Sequence, residues 1–235
     1  MNRKLAITPL LVSLGIFVSA QAHAPTEVLF RLKWKAGDRL RYFITARANA
    51  PMFGLKLPFV LKSIERLDVK AIGSDGSRTI RVTPEVVDME VNGTGDARDA
   101  VKLHKPYEFE VSETGEVLSE FEINDADGEV SLAIMILLPQ LAELPIEIGK
   151  PHRFTRGEAE EKCEITLLYA ADEDVEGIPC RKLNITLRDE DPNGGNGKFT
   201  YWLSRADSSV VNANGTINLM DKEGPTRMDL TVRRL

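Results

Sequence analysis

The sequence predicts an all-β, mainly antiparallel fold. The expected form is a strongly curved sheet or half-barrel of about 12 strands from two related halves, with one central apolar helix on its concave face. Three observations carry this expectation. After residue 27, apolar and polar side chains alternate with period two, the mark of half-buried strands. Short clusters of Gly, Asp, Ser and Pro separate these runs at turn spacing. One segment, residues 124–145, breaks the alternation with an apolar run closed by Pro139.

Residues 1–24 read as a signal peptide. Asn2, Arg3 and Lys4 make a basic start, residues 5–18 are apolar, and Ala20, Ala22 and Ala24 form two overlapping small-x-small cleavage sites. The mature protein is therefore expected to be exported, either periplasmic or secreted. No cysteine follows the cleavage region, so a lipid-anchored form is not expected. No later apolar run reaches the roughly 20 residues a bilayer span needs. The sequence holds 30 Lys and Arg against 36 Asp and Glu. Losing Arg3 and Lys4 leaves 28 against 36, a formal charge of −8. That balance argues against nucleic acid and against anionic membrane surfaces as partners.

The first β half spans residues 25–123. Val28, Phe30, Leu32 and Trp34 share one face of a first strand, and Leu40, Tyr42, Ile44 and Ala46 share one face of a second. Residues 50–59 then form an unusually apolar connection, where a polar hairpin tip is expected. If exposed, Met52, Phe53, Leu55, Leu57 and Phe59 mark a lipid or partner site. Alternatively, the two strands run longer and fold over the core. A long strand carries Phe59, Leu61, Leu67 and Val69 at odd positions, and residues 73–76 turn the chain. Ile80 and Val82 are even while Val87, Met89 and Val91 are odd. This parity switch around Pro84 predicts a bulge or strand break. Tyr107, Phe109 and Val111 lead into a hairpin turn at residues 112–115, and Val117, Ser119, Phe121 and Ile123 lead out.

Residues 124–145 hold the central helix and a Leu-Pro connector. Asp125, Asp127 and Glu129 lie where a helix N-terminus favours negative charge. Between Val130 and Leu138 the only polar residue is Ser131. A helix apolar nearly all round has to be buried, and Pro139 stops it. The second β half, residues 146–235, repeats the plan of the first. Ile165, Leu167 and Tyr169 share a face, as do Leu183, Ile185 and Leu187. Phe199, Tyr201 and Leu203 lead to a turn at residues 205–207. Val211, Ala213, Ile217, Met228, Leu230 and Val232 supply the remaining strands. Cys163 and Cys180 fall in one hairpin turning near residues 172–177. With Ala171 opposite Ile178 they lie about 20 Å apart, beyond the reach of a disulfide. Two small buried thiols are expected instead.

The run Leu138-Pro139-Gln140-Leu141-Ala142-Glu143-Leu144-Pro145-Ile146-Glu147-Ile148-Gly149, with Phe154 after it, resembles a motif of a family of exported bacterial β-sheet proteins of unknown function. Members of that family have a tryptophan shortly after the glycine, where this chain has Pro151 and His152. The layout of strands around an apolar helix is also similar to the half-open barrel of periplasmic lipoprotein carriers such as LolA and LolB. The resemblance implies an exported β fold and carries over no catalytic residue, because a fold does not fix a function.

Reactive constellations are sparse. His23, His104 and His152 fall on separate stretches, so no metal site is expected. Residues 125–128 look like a calcium loop, but its first and twelfth ligands would be Ile123 and Ile134, so helix capping explains them better. The polar loop at residues 189–197 reads as a solvated turn. There is no Gly-x-Ser-x-Gly, no His-Glu-x-x-His and no phosphate-binding glycine loop, and no cofactor is expected. Cys163 with His152 is the one thiol–imidazole pair to consider, yet Cys163 lies on a core-facing register. The expected function is non-catalytic binding of a lipid, an acyl chain or an envelope protein at the concave face. The candidate ligand-binding residues are Met52, Phe53, Leu55, Phe59, Ile134, Leu137 and Leu138. A purely structural module with a filled core is the alternative, and an enzyme is less expected.

Overall fold

The computed structural model describes residues 27–52, 55–95, 105–119, 136–157, 162–189, 195–221 and 224–235. The signal peptide and most of the expected helix, residues 125–135, lie outside the described residues, as does most of the 189–197 loop. Of that helix, Ile136 and Leu137 have helical backbone. Among the described residues every other element is a strand.

In chain order the strands are β1 (Glu27–Val28), β2 (Arg39–Met52), β3 (Leu55–Ile72), β4 (Arg78–Val91), β5 (Thr94–Gly95), β6 (Tyr107–Val111), β7 (Ile146–Glu147), β8 (Pro151–Arg156), β9 (Cys163–Val175), β10 (Ile178–Asp189), β11 (Asn196–Ser204), β12 (Val210–Asp221) and β13 (Gly224–Arg234). Eleven of them form one antiparallel sheet in the order β5-β4-β3-β2-β13-β12-β11-β10-β9-β8, with β6 also beside β4. β1 and β7 form a separate pair. The large sheet is not a closed barrel: β8 ends one side, and β5 and β6 end the other.

The registers follow local chemistry. Glu176 (φ 53°) and Gly177 (φ 81°) both have left-handed backbone, so β9 and β10 are joined by a two-residue turn of the kind hairpin twist favours. Val175 therefore faces Ile178, and Ala171 faces Lys182, not Ile178 as the sequence reading placed it. The cysteines move further apart in consequence. Cys180 pairs with Glu173 and Cys163 with Asp189 at opposite ends of the hairpin, and both thiols are free. At Pro84 the register with β3 shifts, which leaves Glu85 as an extra residue; this is the bulge that the parity switch predicted. β2 and β3 pair as far as Met52 and Leu55, so the strands do run longer than a polar tip would need.

The first expected strand is the main departure. Only Glu27 and Val28 pair as a strand; Phe30, Leu32 and Trp34 keep their alternation but lie across the sheet's inner face, at 2%, 0% and 2% exposure. Arg31 donates from this stretch to the Ala142 carbonyl at 2.9 Å and to the Glu143 carbonyl, and two isolated backbone bonds add to that hold. The Leu32 N–H donates to the Glu113 carbonyl at 2.8 Å, and the Lys33 N–H donates to the Asp207 carbonyl at 3.0 Å. Phe30 meets Tyr169 of β9 edge-on at 5.5 Å. Leu137, Leu138, Leu141 and Ile146 join the same fully buried cluster.

The turn after β6 ties these parts together. It is not a solvated hairpin tip. Its Thr114 carbonyl accepts from the Leu141 N–H at 2.9 Å, and its Gly115 carbonyl accepts from Gln140 Nε2 at 2.9 Å. Gly115 has φ 84°, and a Cβ there would collide with the Pro139 carbonyl. From the opposite side of the sheet, Arg156 of β8 donates to Glu116, to Thr114 Oγ1 at 2.7 Å and to the Leu141 carbonyl at 2.9 Å. The gap between the two outer sides of the sheet is thus bridged by side chains.

Candidate functional site

Burial along the inner face has a direction. On β3, Leu67 and Val69 are buried, while Leu61 and Phe59 are half-buried. On β9 the order runs from Tyr169, Leu167 and Ile165, buried, to Cys163, half-buried. On β10 it runs from Leu183 and Ile185 to Leu187, and on β13 from Val232 and Leu230 to Met228. Four strands thus lose burial toward the same end of the sheet, the end at which the β2–β3 and β12–β13 hairpins turn.

The registers line these positions up. Phe59 faces Ala48, Ala48 faces Met228, Met228 faces Ile217, Ile217 faces Gly197, and Gly197 faces Leu187. This belt crosses six strands and is wholly apolar. Ala48 and Gly197 are its small members. Glycine inside a strand marks a place where something approaches the backbone closely. Here the Phe199 ring takes the space over Gly197 and Gly215, and a Cβ on Gly197 would be 2.7 Å from the ring.

Deeper on β3 the inner face carries Ser63 and Glu65, at 3% and 6% exposure. Burial pushes the Glu65 carboxyl up to about 7; a hydrogen bond from Ser63 opposes the rise and the charge of Glu85 adds to it. Its Oε2 has no hydrogen-bond partner. Burial likewise holds the Cys163 and Cys180 thiols above their ordinary range. His152 faces Leu167, while Cys163 faces Arg156, so the pair considered for thiol chemistry sits at opposite ends of the β8–β9 ladder. Among the described residues no group of three or more His, Cys, Asp and Glu side chains could hold a metal ion.

The sequence-derived candidates fall in three places. Phe59 belongs to the belt. Met52 and Leu55 pair across the same hairpin further out. Leu137 and Leu138, each 1% exposed, pack in the fully buried cluster and not in the belt. Phe53 and Ile134 lie outside the described residues. The sequence reading did not single out Leu61, Leu187, Met228, Gly197 and Gly215. Parity placed the first three on the core face, and glycine inside a strand pattern was the available signal for the last two.

Comparison with known proteins gives a fold likeness. No protein-family model and no curated protein sequence matches the chain. Among solved structures the chain is similar to lipovitellin, in a structure describing its lipid–protein interactions. The TM-score is 0.54 at 11% identity, over 86% of this chain and 25% of that one. The chain thus spans a quarter of the lipovitellin chain it matches. Weaker matches are a protein from Bacteroides fragilis, described as exported and of YmcC-like fold (TM-score 0.30, 11% identity, 88% of this chain and 100% of that one), and MucB in complex with MucA (TM-score 0.16, 11% identity, 85% and 90%). The lipovitellin likeness concerns the fold: a large antiparallel sheet.

Proposed function

We propose that the protein is an exported, non-catalytic binder that holds a lipid or acyl chain against the inner face of its sheet. The observation that carries this reading is the apolar belt from Phe59 to Leu187, half-buried at Phe59, Met228 and Leu187 and aligned at the end of the inner face where burial falls away. An apolar chain laid along it removes that surface from water, worth about 25 cal/mol per Å². The likeness to lipovitellin, a protein whose structure describes lipid–protein interactions, supports this reading. A fluorescent fatty-acid analogue titrated into the mature protein tests it. Saturable binding is expected, weakened at least tenfold by Met228→Glu or Leu187→Glu in proteins that keep their β circular dichroism. Absence of saturation, or indifference to both substitutions, overturns the reading.

A second reading is favoured by a different observation. Phe30, Leu32, Trp34, Leu137 and Leu138 are each 2% exposed or less and pack in one buried cluster over the other end of the face. A module whose inner face is packed throughout would take a protein partner and no small ligand. It predicts no fatty-acid binding with native stability retained.

A further inference from the structure

The outer face of the sheet carries a cleft at the same end as the belt. Its volume is about 430 Å³, and it opens between β3, β2 and β13. Arg47 stands at its centre, with Val60 of β3 on one side and Asp229 of β13 on the other. Lys56 and Arg227 flank it toward the hairpin turns. Three cations and one carboxylate line it, and Glu90, which faces Val60 from β4, is held by Lys62 at 3.5 Å. Asp229 is already engaged by Arg227 at 3.4 Å, an exposed pair worth little. Neither Arg47 nor Lys56 lies within ion-pair distance of a carboxylate among the described residues. Many other cations of this face are held by acids: Arg39 by Asp68 at 2.7 Å, Arg41 by Glu85 at 2.6 Å, Arg66 by both, and Lys182 by Glu173 at 2.9 Å.

Two further features set the cleft apart. Pro58, Val60 and Pro225 give its floor an apolar character. The β2–β3 ladder also continues from Asn49–Pro58 to Met52–Leu55, beyond the last β13 pair at Ala48 and the last β4 pair at Phe59. The β2–β3 and β12–β13 hairpins both run on past the Ala48–Met228 pair without pairing to each other, and Lys56 and Arg227 line the cleft between them.

We propose that this cleft docks the protein on an anionic phospholipid surface, with Arg47, Lys56 and Arg227 taking the phosphate groups. The formal charge of −8 without the signal peptide pointed away from such a surface. Distribution overrides it, because the field within a Debye length of about 8 Å is set by the nearest charges. The acidic remainder is repelled, so only the hairpin end can face the lipid. The belt lies at this same end on the opposite face, so docking brings its open end near the lipid, and in this respect the inference rests on the proposed lipid-binding function.

Vesicle flotation with the mature protein tests it, using phosphatidylglycerol–phosphatidylethanolamine vesicles against neutral phosphatidylcholine ones. Co-flotation with the anionic vesicles alone is expected, falling as salt rises. Each of Arg47→Gln, Lys56→Gln and Arg227→Gln should weaken it about fivefold, and the triple variant about 100-fold. Glycerol phosphate at millimolar concentration should not displace the protein, because a free phosphate lacks the surface. Arg233→Gln, another exposed cation of β13, is the control and should leave binding unchanged. Equal binding to both vesicle types, or a triple variant that still floats, overturns the proposal; so does displacement by glycerol phosphate, which reassigns the cleft to a soluble anion. The fatty-acid titration separates this proposal from the belt. The triple variant should bind the analogue as the parent does, and the Met228→Glu protein should still float.

Discussion

At the scale of the residue, Glu65 is the carboxyl that burial pushes up among the described residues. Its neighbours across the sheet are Tyr42 and Pro84, and Oε2 has no partner. The folded state raises its pKa from 4.5 to about 7, so folding favours the protonated form. The associated stability is fully present below the unfolded value and is lost as pH rises through 7. A melting temperature that falls between pH 5 and pH 8 is expected. Glu65→Gln should flatten that fall and stabilise the protein at pH 8, by up to about 3 kcal/mol if the whole shift is realised. Thermal melts of both proteins across this range check it; parallel curves would show that the carboxyl is not the titrating group. The sequence marked Glu65 only as a charge between Ser63 and Leu67 on the core register. Alternation gave its side, but not that the face would close over it.

At the scale of the element, Arg156 and the turn after β6 do the work of a missing strand pair. Arg156 serves three acceptors on two segments. Arg156→Ala should cost about 2–3 kcal/mol, because it leaves partly buried acceptors without a donor. Arg156→Lys should recover little of that, since an ammonium cannot span the same fork. Arg153→Ala, exposed on the same strand, should stay within about 0.5 kcal/mol, and urea denaturation separates the three. None of this was legible in the sequence, where residues 112–115 read as the turn of a simple hairpin. Alternation reports which side of a strand faces the core. It is silent on which loop returns to cover that core. The same limit explains Phe30, Leu32 and Trp34: their period of two was right, and the side they bury was right, but they cross the sheet instead of joining it. The Pro84 bulge was legible because a bulge changes parity within one strand. The β9–β10 register was not, because Glu176 had to adopt a left-handed backbone that its residue type seldom signals. The belt was half legible for a related reason. Phe59 drew notice by its apolar neighbours in sequence, whereas Leu61, Leu187 and Met228 become neighbours only through the pairing of strands.

At the scale of the molecule, the structure rests on one sheet without covalent crosslinks. Cys180 faces Glu173, ten residues along β9 from Cys163, so about 34 Å separates the thiols' levels on the ladder. A disulfide needs Cα atoms within about 7 Å. Even in an oxidising compartment, therefore, both thiols should titrate as free in the denatured protein, and reductant should leave the melting temperature unchanged. A reductant-dependent drop would show that the cysteines pair. Stability must come instead from the buried cluster and from the continuity of pairing across the sheet.

That continuity passes through a single seam of great span. β2 is joined to β13, with Ala48 opposite Met228 and Tyr42 opposite Arg234. Strands on either side of the seam are connected by local hairpins that can zip early. The seam itself closes a loop of most of the chain, which is slow because the closure entropy comes before any reward. Until β13 arrives, each half presents an unpaired edge and an uncovered apolar face. Folding should therefore be late and sudden, and a nascent or partly delivered chain remains loose enough to be threaded, carried or degraded until residue 234 is free to dock.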